Sequence, residues 1–202
     1  MIVNFCHSAT FQTRLFLENS LLEQVRETKL LGVILTDDMK WQRNTEDLIK
    51  RANKRMSILH NIVNFNVEKV DAVQIYTLYI RSVLEQSCVV WGSSITDSES
   101  LALERVQKCA LRIIYKNCYI SYENALSMSG LPELSTRRLK LIHKFAEKCI
   151  KSDKTKFMFP VNDKVVNTRH SEPFSVPFAY HDRLKNSSKV YMANFLNSKH
   201  KK

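Results

Sequence analysis

Val67 to Trp91, VEKVDAVQIYTLYIRSVLEQSCVVW, decides how the chain folds. Placed at helical spacing, Val70, Val73, Thr77, Ile80, Leu84, Cys88 and Trp91 form one apolar stripe, and Ala72, Tyr76, Tyr79, Val83, Ser87 and Val90 form a second beside it. Only a narrow strip with Gln74, Arg81 and Glu85 is polar. A helix apolar over most of its circumference has to be surrounded by other elements, so the segment is expected to be the spine of a helical unit.

Working outward, the segments on either side read as its cover. From about Trp41 to Val63 the spacing predicts a helix with Leu48, Ala52, Met56, Leu59 and Val63 on one face and Arg43, Asp47, Lys50, Lys54, Ser57 and Asn61 on the other, flanked by Arg51 and Arg55. Asn66 is placed to cap the spine, with Glu68 and Asp71 near its positive end. Beyond Gly92, Thr96-x-x-Glu99 is a capping box that opens a helix over about 97–115, with Leu103, Val106, Ala110, Ile113 and Ile114 inward and Arg105, Lys108, Arg112 and Lys116 along another side. Ser121 to Met128 reads as a short helix stopped by Gly130-Leu131-Pro132. From Ser135 to Ile150 a last strong helix points Leu139, Ile142, Ala146 and Cys149 inward and leaves Arg137, Lys140, Lys144 and Lys148 as a basic ridge.

The amino-terminal part reads as sheet. MIVNF is a short strand, FQTRLFLENSLLEQV resembles a hairpin turned at Glu18-Asn19-Ser20, and KLLGVILT at 29–36 reads as one further strand. Gly32 within that strand suggests a bulge or a close backbone approach. Three strands hardly make a sheet that stands alone, so the beginning reads as a cut edge. Asp37-Asp38 reads as a polar turn; a two-metal site would need a further carboxylate on an adjacent strand, which the hairpin does not offer. After Ser152, Pro160, Pro173 and Pro177 punctuate a segment in which Phe157, Phe159, Phe174, Phe178 and Tyr180 could pin an extended strap. Periodicity returns only near Val190 to Leu196, and loose order is expected there. The expected fold is α+β, predominantly helical: a small amino-terminal hairpin or three-stranded sheet, about five helices and a loosely ordered tail.

Composition narrows the function classes. The 202 residues carry a net charge of +11, which favours polyanionic partners, and 44% apolar content, enough for a core. No apolar run approaches the ~18 residues of a membrane span, and MIVNFCHSATF lacks the basic start and apolar run of a signal peptide. The five cysteines, Cys6, Cys88, Cys109, Cys118 and Cys149, form no CxxC pair, and three lie in apolar helical patterns, which suits reduced structural thiols inside a cell. The six histidines make no metal-binding spacing. Gly32, Gly92 and Gly130 are too few and dispersed for a phosphate-cradling loop. No metal or cofactor is expected.

Four stretches occur in an order that resembles one family: KLLGVILTDDMKW at 29–41, YIRSVLEQSCVVWG at 79–92, LERVQKCALRII at 103–114, and SYENAL with GLPELSTRRLKL between 121 and 141. They are similar to the carboxy-terminal part of reverse transcriptases of non-LTR retrotransposons, especially jockey-like insect elements, over about residues 1–150. The resemblance implies remnant palm-edge strands at 1–40, with MIVNF as the last palm strand and Leu31 and Gly32 at the primer grip. It further implies a thumb-like helix at 41–66 and a helical carboxy-terminal extension at 67–151, followed by a basic, Pro- and aromatic-containing strap and tail at 152–202. The family's fingers, aspartate-bearing palm strands and aromatic-x-Asp-Asp motif match nothing in these residues, and neither does a CCHC knuckle. Nucleotidyl transfer needs two cations held by those aspartates, so no polymerase activity is expected of this chain.

Binding is the expectation that remains. A thumb and its extension touch the sugar-phosphate backbone, which suits Lys50, Arg51, Lys54 and Arg55 on the first helix, Arg105, Lys108 and Arg112 on the third, and Arg137, Lys140, Lys144 and Lys148 on the last. The partners implied are RNA or DNA backbone, and palm, fingers or another protein on exposed apolar faces, with no membrane; the compartment is nucleus or cytoplasm, without secretion. The alternative is a co-opted or decayed helical module that binds protein and no nucleic acid.

Overall fold

A computed structural model describes residues 16–21, 23, 25–162 and 172–200. The architecture is α+β and predominantly helical, with antiparallel hairpins at the amino-terminal end. The expected MIVNF strand lies outside the described residues.

Strands β1 (Phe16–Leu17) and β2 (Ser20–Leu21) pair about the turn at Glu18-Asn19, both at positive φ as a tight hairpin turn requires. KLLGVILT is not one strand. It divides into β3 (Glu27–Leu30) and β4 (Val33–Thr36), which pair antiparallel with Leu30 opposite Val33. Leu31 and Gly32 form the two-residue turn at φ 49° and 83°, so Gly32 supplies a turn and not a bulge. What comes close to Gly32 is a side chain and not the expected backbone: a Cβ there would meet the side-chain amide of Gln86. The second hairpin is tied to α1 (Gln42–Asn64) by the Ile34 amide donating to buried Asn44 Oδ1 at 3.1 Å, and by ion pairs Arg43–Glu27 at 3.0 Å and Lys29–Asp47 at 3.4 Å.

Helix α1 buries Leu48, Ala52, Met56, Leu59 and Val63, the face its spacing predicts, chiefly against α5 (Asp97–Tyr115). The spine differs from expectation in three ways. It begins with α2 (Lys69–Ile75), whose cap position is Glu68, while Asn66 sits upstream in a left-handed conformation. A π-helical turn then spans Tyr76–Arg81 before α3 (Ser82–Leu84). Finally, Ser87 at φ 52° breaks the chain ahead of α4 (Cys88–Trp91). The wide turn has a packing consequence. Residues four apart drift about 40° per step around an ordinary α-helix, and a π-helical turn, with more residues per turn, takes up that drift. Ala72, Tyr76, Ile80 and Leu84 therefore stay in one buried row with Val83, while Val70, Leu78, Tyr79 and Val90 are exposed. One straight row replaces the two expected stripes.

Thr96 accepts from the Glu99 amide and Glu99 bonds back to the Thr96 amide, completing the capping box of α5. Helix α6 (Tyr122–Ser129) is capped by Ser121 and closed by left-handed Gly130. Helix α7 (Leu134–Lys151) buries the row Leu134, Arg138, Ile142, Ala146 and Cys149. Leu139, expected inside, is 39% exposed, because that row places Arg138 at 3% where Leu139 was expected. The Arg138 guanidinium donates to Ser100 Oγ at 2.5 Å. Cys88 and Cys149 are buried, while Cys109, expected in the core, is exposed like Cys118.

The brief periodicity near Val190 develops into α9 (Ser188–His200), preceded by α8 (Asp182–Lys185). Met192, Ala193 and Leu196 pack with Ile142, Ala146, Cys149 and Phe159 into a second core on the far side of α7. Phe159 and half-buried Phe174 pin the strap as expected, whereas Phe157, Phe178 and Tyr180 face solvent. No helix among the described residues is long and apolar enough to cross a membrane.

Candidate nucleic-acid interface

The expected phosphate contacts divide into two groups. Arg51, Arg55, Lys108, Arg112 and Arg137 have partners within the fold. Arg51 Nε lies 2.8 Å from Asp47 and its Nη1 donates to Gln86 Oε1 at 2.7 Å. Arg55 donates to the Tyr79 carbonyl and lies over the Tyr79 ring at 4.4 Å. Lys108 sits 4.8 Å above the Tyr122 ring and Arg112 5.4 Å above that of Tyr119. Arg137 donates to Glu85 Oε1 at 3.2 Å, a carboxylate shared with Arg81.

Lys50, Lys54, Arg105, Lys140, Lys144 and Lys148 form the second group. They are exposed, and none of their side chains makes an ion pair, hydrogen bond or ring contact with another described residue. Three of the six stand on α7. That helix is sunk between α4, α5 and α9, so its exposed residues are Thr136, Leu139, Lys140, Lys144, Lys148 and Lys151. Lys151 was not foreseen, because the expected helix stopped at Ile150; the three-residue step from Lys148 was the available signal. On the flank of this ridge Glu147 is paired with Lys199, whose hydrogen bond holds its carboxyl below the usual range.

What holds α7 in place is a buried polar network. Glu104, 8% exposed on α5, accepts from the amides of Leu134 at 3.1 Å and Ser135 at 3.3 Å, and from the Tyr122 hydroxyl. Its carboxylate thus meets the unpaired amides and positive end of α7. Gln107 extends the network by donating to Tyr122 Oη and the Pro132 carbonyl while accepting from Tyr76 on the spine. Burial, reinforced by the Glu104 hydrogen bond, pushes the Tyr122 phenol well above its usual range. A carboxylate and a tyrosine so close resemble an acid–base pair, but each of their oxygens accepts from a donor that belongs to the fold.

No protein-family model, curated protein or solved structure matches this chain.

Leu31 projects from its hairpin turn at 90% exposure, with Gly32 beneath the Gln86 amide. Asp37-Asp38 forms a polar turn: Asp38 Oδ1 accepts from Thr36 Oγ1 at 2.8 Å and the Lys40 amide at 3.1 Å, and Oδ2 pairs with Lys40 Nζ at 2.9 Å. Burial raises the Asp38 pKa, but the hydrogen bonds from Lys40 and Thr36 outweigh it and bring the value down to about 2. Among the described residues no three His, Cys, Asp or Glu side chains converge as a metal site.

Proposed function

We propose that the chain is the thumb and helical extension of a polymerase of the non-LTR retrotransposon type, and that its own activity is to bind nucleic-acid backbone without catalysing nucleotide transfer. The resemblance at residues 29–41, 79–92, 103–114 and 121–141 supports the ancestry. The observation that carries the binding is the α7 ridge, where Lys140, Lys144 and Lys148 are exposed and unpaired among the described residues while most other basic groups in the expected interface have internal partners. Unpaired ammonium groups on a rigid element suit phosphate and carry no base information.

The test is fluorescence anisotropy with a labelled 16-nucleotide oligomer between 50 and 200 mM KCl. With four to six phosphates neutralised at about 0.7 each in the log–log slope, affinity falls about 100-fold over that range. Binding that ignores salt, or no binding at 50 mM, refutes the reading. Primer extension with magnesium and nucleoside triphosphates yields no product; extension by the pure chain refutes the non-catalytic part. A second reading, a protein-interaction module, is favoured by exposed Leu31, Phe65, Val70 and Leu78, and predicts association insensitive to salt.

A further inference from the structure

Which form of nucleic acid the ridge takes follows from how α7 is seated. Helices that read duplexes enter a groove and reach phosphates from both flanks. Helix α7 has no free flanks. Leu134, Arg138, Ile142, Ala146 and Cys149 are buried, and Ser135, Arg137, Leu141, His143, Phe145, Glu147 and Ile150 are half-covered by neighbouring elements. His143 is stacked flat on Phe195 of α9 at 3.7 Å between ring centroids, and Arg137 is held by Glu85. The fully exposed residues form one line whose charged members are Lys140, Lys144, Lys148 and Lys151, and the half-covered Glu147 beside it is paired with Lys199.

At 1.5 Å per residue those four lysines are separated by about 6, 6 and 4.5 Å along the axis, over about 16 Å in all. Steps of this size match consecutive phosphates along one strand. A duplex strand cannot offer four such phosphates to a straight ridge. At about 10.5 base pairs per turn, four successive phosphates rotate through about 100° around the duplex axis, so the outer two turn away. A pliable single strand can lie along the line.

On the backbone-binding reading above, we infer that α7 is a single-strand track, on which Lys140, Lys144, Lys148 and Lys151 each take one of four consecutive phosphates of an RNA or DNA single strand. Selectivity for a lone strand comes from the burial of both flanks and not from any base contact. Lys50, Lys54 and Arg105 lie on other helices and contribute background attraction that is the same for either form.

The experiment uses the full chain, labelled oligo-dT of 16 nucleotides and a 16-base-pair duplex, with the four single variants Lys140→Gln, Lys144→Gln, Lys148→Gln and Lys151→Gln. All four sites are exposed, so far-ultraviolet circular dichroism and the urea midpoint should be unchanged. At 0.1 M KCl each variant weakens oligo-dT binding about 5-fold, the value of one contact of log–log slope 0.7, and flattens that slope by about 0.7. On the duplex no more than two of the four have an effect. The inference is overturned if all four variants weaken duplex binding as much as single-strand binding, which would mean groove entry. It is also overturned if none alters oligo-dT binding while the wild-type chain still binds, since the contacts then lie elsewhere and backbone binding survives without the track. Absence of binding to either oligonucleotide removes the parent reading itself. Vesicles with 30% phosphatidylserine provide the last arm: variant-sensitive binding to them, with no binding to oligo-dT, overturns the assignment in favour of a lipid surface.

Discussion

Removing the carboxylate of Glu104 should dislodge α7 more than any change on its surface. The side chain is 8% exposed and accepts from the Leu134 amide, the Ser135 amide and the Tyr122 hydroxyl. Glu104→Ala leaves three donors without an acceptor, at about 1–2 kcal/mol each, and removes a charge from the positive end of α7, so about 4 kcal/mol of stability is lost. Glu104→Gln keeps the shape and one acceptor oxygen but turns an amino group toward a backbone donor, costing about 2 kcal/mol. With a urea m-value of about 2 kcal/mol/M, the midpoints fall by about 2 M and 1 M. Urea unfolding followed by circular dichroism at pH 7 reads both. An Ala variant within 0.5 M of wild type would refute the claim that Glu104 seats α7, and the Gln variant gives the answer if Ala does not fold.

Two further perturbations follow from the cores. Leu84, 1% exposed at the end of the straight row on the spine, lies within the main apolar cluster, so Leu84→Asp should abolish cooperative thermal unfolding; a normal melt would remove the spine from the centre of the fold. Burial lowers the His143 pKa from 6.5, and the neutral ring stacks on Phe195 and Tyr191. The unfolded chain therefore binds this proton more readily, so the associated stability is complete above about pH 6.5 and is lost as pH falls through the lowered folded-state value. The urea midpoint should drop between pH 7.5 and 5, with a smaller drop in His143→Phe; an equal drop in both would place the effect elsewhere.

The elements most legible in the sequence were those whose signal is local. The buried face of α1, the capping box at Thr96 and Glu99, and the Gly130 stop need only a few neighbouring residues to be read. Leu31-Gly32 was misread because leucine rarely occupies a turn position at positive φ, and here the pairing of β3 with β4 imposes it. The spine was misread because an apolar row of strict four-residue step is split into two stripes by an assumed 100° spacing, and no local residue announces a π-helical turn. In the candidate interface, the separation of free from engaged basic groups was invisible. Arg51 meets Gln86 and Arg137 meets Glu85, pairings 35 and 52 residues apart that no local pattern announces.

Helix α7 is also a wall between two cores. Leu134 belongs to the larger cluster with the spine, α1 and α5, whereas Ile142, Ala146 and Cys149 belong to the smaller one with α9 and Phe159. The clusters also share α4, which gives Cys88 and Trp91 to the larger and Val89 to the smaller, but the buried α9 side chains Met192, Ala193 and Leu196 belong to the smaller alone, so the two need not open together. Losing α9 would strip one flank of α7 while Glu104 still anchored its start, a partial opening far cheaper than global unfolding. The carboxy-terminal helix thereby governs how much of α7 is on display, and an excursion of α9 would turn a one-sided edge into a helix with a second accessible side.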